Sequence, residues 1–179
     1  QEVDERVASA RQQALSCAPE ELDRCSEFSP IMALAAENHR LDRHQLLLLE
    51  TGEDALKIRI HLIRAAKQSI ELQNFILRAD DSGKLVLNEL LDAARRGVKV
   101  RLLLDQMFTD ADLNYLVQLT MAHANFEIRF FNPSFHKAKM AKHDWISGVA
   151  CCFRRINQRM HNKLLVIDGL VGIIGGRNI

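Results

Sequence analysis

Apolar positions along this chain recur at two spacings, and the alternation between them predicts the order of its elements. Ala55, Ile58, Leu62, Ile63 and Ala66 share one face at helical spacing. Thr51-Gly52-Glu53-Asp54 precedes them as a capping-box-like start, with acids where the first turn favours negative charge. Leu87, Leu90, Leu91 and Ala94 mark a second helix, closed by Arg95, Arg96 and Gly97 as a basic last turn and a glycine stop. A third is expected from about Asp110 to Ala122, with Leu113, Leu116 and Val117 facing inward. Between the helices the period changes to two. Ser69 to Leu77, Val98 to Leu104 and Phe126 to Phe131 read as strands, and Gln45 to Leu49 as a short buried one. The middle of the chain is then β-α-β-α-β-α-β, which predicts an α/β fold with a mixed, largely parallel sheet flanked by helices.

Ser29-Pro30 is an N-cap followed by proline and predicts a helix from Pro30 to about His39. Together with the charged residues 1–27, expected to form one or two short helices, it makes a helical N-terminal extension over residues 1–44. The domain proper is expected over 45–179. Asn132 to Gln158 shows little periodicity and is expected to be a long loop, of the kind that is functional or mobile in a compact domain. Met160 to Ile167 and Gly172 to Gly176 read as two further strands, the second ending in a tight passage.

Composition changes this picture little. Hydrophobic residues at 47% and charged residues at 26% are ordinary for a globular domain, and 179 residues are ample for a core. No apolar run approaches the roughly 18 residues of a membrane span. The polar start at Gln1 is no signal peptide, and the lack of an initiator Met points to a processed or trimmed N-terminus. Cys17 and Cys25 could pair in an exported protein. Cys151-Cys152 is expected to be buried as small hydrophobes rather than to act as a redox centre. No pair has the C-x-x-C spacing of a zinc knuckle, and no metal site is expected.

Charge is more informative. Asn132 to Lys163 holds seven Lys/Arg (Lys137, Lys139, Lys142, Arg154, Arg155, Arg159 and Lys163) against one acid, Asp144. The remainder holds 17 bases and 22 acids. A basic segment of this kind concentrates anionic ligands, and Lys137, Lys139, Lys142 and Arg159 are candidate lipid- or anion-binding residues. That segment leads into Met160-His161-Asn162-Lys163. On a strand, His161 and Lys163 project from one face. An imidazole beside an ammonium is a poor metal site but suits a phosphate: the lysine holds non-bridging oxygens, and the histidine attacks or donates a proton. Asp168 ends the strand. Gly175 and Gly176 bring backbone close, and Asn178 offers an amide N–H.

The full spacing H-x-K-x4-D-x6-G-G-x-N, carried by His161, Lys163, Asp168, Gly175, Gly176 and Asn178, resembles the signature of the phospholipase D superfamily. The flanking segments, Leu62 to Gln73, Ala93 to Asp105 and Asn157 to Lys163, look like its bacterial cardiolipin-synthase branch. The resemblance covers about Leu46 to Ile179 and does not extend to residues 1–44. It implies a cofactor-free enzyme that cleaves phosphodiesters or transfers phosphatidyl groups on phospholipids. His161 would be the nucleophile that forms a phosphohistidine, and Lys163 and Asn178, with Gly175 and Gly176, would hold phosphate oxygens. Asp168 would support the histidine arrangement.

In that superfamily two such motifs meet across a pseudo-twofold axis. One motif is present here, so the expectation is the N-terminal half of a two-motif enzyme, with negligible turnover alone. The second half would come from the same full-length chain or from a homodimer partner. The expected partners are a phospholipid and a bacterial membrane surface, on its periplasmic face in an exported protein. A nuclease of the same superfamily shares the mechanism, but a net charge of +1 makes a nucleic-acid partner disfavoured. A degenerate half or binding module is the third alternative, disfavoured by the intact motif.

Overall fold

The computed structural model describes residues 30–78, 80–106, 113–134 and 141–178. The expected helices of residues 1–27 and any pairing of Cys17 with Cys25 fall outside them. The elements are α1 (Pro30–Arg40), α2 (Gly52–Ala65), β1 (Ser69–Asn74), α3 (Asp81–Arg95) and β2 (Lys99–Asp105), followed by α4 (Leu113–Ala122), β3 (Phe126–Phe131), α5 (Lys142–Ile156), β4 (Leu164–Ile167) and β5 (Val171–Ile174).

Local sequence accounts for most of the helix boundaries. Thr51 caps α2 by accepting the Asp54 N–H at 3.1 Å. Asp80 caps α3 in the same way, through the Gly83 N–H at 2.9 Å. The expected glycine stop of α3 is present: Gly97 sits at φ 97°, a left-handed conformation that a side chain would resist. The buried positions of α2 and α3, among them Leu62, Ile63, Val86, Leu87 and Leu90, recur at helical spacing.

The sheet order is β3-β2-β1-β4-β5. Strands β1, β2 and β3 pair in parallel, β4 runs antiparallel to β1, and β5 antiparallel to β4. Four strands therefore point one way and β4 the other, which makes the sheet mixed and largely parallel, as expected. Register places Ile70, Val100 and Phe126 side by side, then Leu72, Leu102 and Ile128. This face packs on the helices and forms one core with Leu165 and Ile167. The opposite face carries Glu71 paired with Arg101, and Glu127 paired with Arg129. The alternation read from the sequence is this division between helix side and charged side.

Three expectations are corrected. Gln45 to Leu49 forms no strand: the segment has no regular structure, and Leu46, Leu47 and Leu48 are 97%, 70% and 80% exposed. An apolar run becomes a strand only where a neighbour accepts its hydrogen bonds, and both edges of β1 are already occupied by β2 and β4. Asn132 to Gln158 is no continuous loop, because α5 fills more than half of it. Asp144 accepts the Ala141 N–H at 2.9 Å at its start. Cys151 and Cys152 are exposed and joined to each other as a disulfide, and the α5 backbone leaves helical dihedrals at Cys152 (φ −145°, ψ 35°). They are not buried because the side of α5 they occupy faces away from the core. Helix α1, assigned by sequence to the extension, lays Ile31 and Met32 against the core.

Candidate active site

The sheet order reverses between β1 and β4, and in open α/β sheets the crevice at such a point, beyond the strand carboxyl ends, is where ligands bind. The motif histidine and lysine lie there. In the β4–β5 hairpin Leu164 pairs with Ile174, and Ile167 with Val171. The next step of that register sets Lys163 beside Gly175, whose N–H donates to the Lys163 carbonyl at 3.3 Å. On the other side Gln73 pairs with Leu164, which carries residues 161–163 past the carboxyl end of β1. Residues 161–163 lie outside the regular strand, which begins at Leu164 rather than at Met160. This shortening frees the two side chains from sheet pairing.

His161 and Lys163 share a face, as their spacing predicts, and Phe75 organises that face. The His161 and Phe75 ring centroids are 4.2 Å apart at 47°. The Lys163 ammonium lies 5.0 Å from the Phe75 centroid and donates to the His161 carbonyl at 2.7 Å. Asn178 approaches from the end of the hairpin. Its Oδ1 accepts the Ile76 N–H at 3.2 Å, so its NH2 is directed away from the backbone. Imidazole, ammonium and amide thus converge on the Phe75–Ile76 segment. A Cβ on Gly175 or Gly176 would meet nothing within 4 Å, and neither residue has a positive φ. The glycine pair borders open space and makes no strained passage.

Asp168 is placed elsewhere, at the opposite end of β4, about 16 Å along the chain from Lys163 at strand rise. Its carboxylate accepts the backbone N–H groups of Lys67, Gln68 and Ser69 at 2.9, 2.8 and 2.9 Å. Its own N–H donates to the Ser69 carbonyl at 2.9 Å, and its φ is 51°. The expected support of the histidine is therefore not a contact. Asp168 pins the hairpin turn to the start of β1. The four residues between Lys163 and Asp168 are the whole of β4, which is the physical meaning of the x4 spacing.

Arg159 is also corrected. It does not present its charge to solvent for a lipid: its side chain is 7% exposed and its Nη1 lies 3.4 Å from the Asp105 carboxylate. The same carboxylate accepts the Met160 N–H at 3.2 Å. A fully buried charge at the end of β2 requires a partner, and Arg159 supplies it. Lys142 opens α5, while Lys137 and Lys139 lie outside the described residues.

Phe75 and Asp105 contact the candidate site and the segment leading into it in ways that the sequence does not announce. Phe75 reads as one more residue of an alternating strand, and Asp105 as a strand end. Among the described residues no cluster of His, Cys, Asp and Glu could hold a metal ion, and no helix is long and apolar enough to cross a membrane.

Comparison with known proteins finds relatives over most of the chain. A Helicobacter pylori protein of unassigned function is 40% identical over 84% of this chain and 30% of its own length. Cardiolipin synthase C of Escherichia coli is 41% identical over 75% of this chain and 27% of its own. A Geobacillus kaustophilus cardiolipin synthase is 30% identical over 98% and 33%. The chain spans about a third or less of the length of these relatives. A family model described as the cardiolipin synthase, phospholipase D-like domain matches residues 59–179, which include every motif position. This chain belongs to that family of phospholipase D-like cardiolipin synthase domains.

Proposed function

We propose that this domain supplies one half of the active site of an enzyme that transfers phosphatidyl groups between phospholipids. The observation that carries it is the convergence of His161, Lys163 and Asn178 on the Phe75–Ile76 segment. His161 attacks phosphorus, the P–O bond to the leaving alcohol breaks, and the phosphatidyl group rests on the imidazole. The leaving alkoxide takes a proton from the histidine of a second motif. That second histidine then deprotonates the acceptor, whose oxygen displaces His161. Lys163 and the Asn178 amide hold the non-bridging oxygens, where charge grows in the transition state. The second motif comes from further chain or from a second copy.

A lipid rather than a nucleic acid is favoured by kinship with the cardiolipin synthases and by α5. That helix exposes Ile146 and Val149, at 74% and 46%, before its break at Cys152, and Phe153, at 59%, after it, with Arg154 and Arg155 in its last turn. Exposed apolar residues beside cations suit the surface of an anionic bilayer, on the periplasmic face if the protein is exported. Vesicles of headgroup-labelled phosphatidylglycerol, given to a protein that carries this chain and a second motif, should show label transfer that His161→Ala abolishes. Plasmid nicking by that protein without lipid transfer would replace this reading with a nuclease.

A further inference from the structure

Beside the histidine face lies a narrow cleft that no step above uses. It runs between α2, the end of β1 and the β4–β5 hairpin, and Arg59, Arg177, Lys163, Gln73 and Asn74 line it with apolar neighbours. Three of its lining residues are cations and none is an acid. We propose that Arg59 and Arg177, with Lys163 shared, form an anion subsite that takes a second phosphate group, next to the phosphorus that His161 attacks.

Burial supports this. Arg59 is 8% exposed, and its Nη1 bonds only the carbonyl of Ala55 in its own helix, at 3.3 Å. Its guanidinium is held below its ordinary pKa by burial and by the charge of Arg177. Arg177 donates to the Glu50 carbonyl at 2.7 Å. Among the described residues neither arginine meets a carboxylate. Two acids at the start of α2 are engaged elsewhere: Glu53 pairs with Lys57 at 2.6 Å, and Asp54 accepts the Thr51 hydroxyl at 2.6 Å. A buried charge without an acidic partner is costly, and the like charge of the exposed Arg177 nearby adds to the cost of Arg59. The arrangement is explained if an anion completes it. A phosphate oxygen matches the planar fork of each guanidinium.

Access is built in as well. Arg177 is exposed and lies across the start of α2, where a Cβ on Gly52 would come within 2.8 Å of its Nη1. Glycine therefore lets the guanidinium sit close to the cleft. Arg59, on the second turn of α2, forms the inner wall. His161 does not line the cleft, so the subsite adjoins the reacting face and is separate from it. The ligand class that fits is a phosphate ester whose second anionic group lies a few bonds from the scissile phosphorus. The inference deepens the phosphatidyl-transfer reading and rests on it for the identity of that ester, but not for anion binding itself.

The test uses the 179-residue chain and two probes, inorganic phosphate and a short-chain cardiolipin below its micelle concentration, which carries two phosphates a few bonds apart, with binding followed by thermal unfolding and titration calorimetry. Both probes should raise the unfolding midpoint of the unmodified chain. Arg177→Gln and Arg59→Met should each weaken binding at least about tenfold, the loss of one charge-assisted contact. In phosphate-free buffer Arg59→Met should be as stable as the parent or more so, because it removes an unpaired buried charge. His161→Asn should leave the Arg59-dependent response intact. Phosphate binding indifferent to both arginine variants would overturn the subsite. So would a destabilisation by Arg59→Met that phosphate does not alter, which would make Arg59 a structural residue. A response to inorganic phosphate alone identifies a free-phosphate site and overturns the lipid headgroup as its source. Lipid transfer without arginine-dependent binding sinks this inference alone, and arginine-dependent binding without lipid transfer sinks the functional reading alone.

Discussion

The two ends of the β4–β5 hairpin differ in how they are held. At the His161 end the motif side chains are exposed or half-exposed, and single contacts position them: one ring face, one carbonyl, one backbone N–H. At the Asp168 end one carboxylate takes three backbone N–H groups, and a main-chain bond seals the turn. The motif that reads as one functional string is therefore divided between two tasks. The open end leaves an imidazole, an ammonium and an amide accessible. The closed end spends a charge on fixing the register that places them.

The largest expected effect lies at the open end. In a two-motif protein His161→Ala should lower turnover by about 10^4-fold or more, as loss of a covalent nucleophile does. Its thermal unfolding should stay within about 0.5 kcal/mol of the parent, since His161 is exposed. A variant that unfolds early would erase the contrast between the ends. Asp168→Ala should do the reverse and cost about 3 kcal/mol in urea unfolding, because it leaves three N–H groups without their charged acceptor. Any remaining folded fraction should keep its affinity for phosphate. Unchanged stability with lost turnover would return Asp168 to a direct chemical role.

Smaller effects sharpen the picture. Phe75→Leu should lower turnover by roughly three- to thirtyfold, from loss of the aromatic face under the Lys163 ammonium, and Phe75→Tyr should restore most of it. Equal loss in both variants would mean that shape rather than the ring matters.

The smallest effect is one of pH, and it lies away from both ends. Burial, and then the charge of Arg64, holds the His61 pKa below its ordinary 6.5. The unfolded chain then binds the proton more readily, so stability is present above about pH 6.5 and falls as pH drops through the folded value. His61→Gln should flatten that part of the stability profile, measured as denaturation midpoint against pH.

Much of the fold was legible because it is local. Thr51 and Asp80 announce caps, Gly97 announces a stop, and the alternation in β1 to β3 announces a buried face. Helix α5 was not legible as a helix. Ile146, Val149 and Phe153 are exposed rather than turned to the core, and the helical backbone breaks at Cys152. The leucines at 46–48 misled for the complementary reason: their composition is that of a strand, but no neighbour accepts their hydrogen bonds.

The candidate site divides in the same way. The sequence by itself supplied the residue types His161, Lys163 and Asn178 and the common side of His161 and Lys163, because residue type and a spacing of two are local properties. Only the tertiary structure decided what surrounds them. It brought Phe75 under the imidazole and the ammonium, turned Arg159 inward to Asp105, and gathered Arg59 and Arg177 on one cleft. It also separated Asp168 from the histidine. The physical reason is that strand register and helix packing join residues a hundred or more positions apart, and the sequence pattern near any one of them does not record its partner.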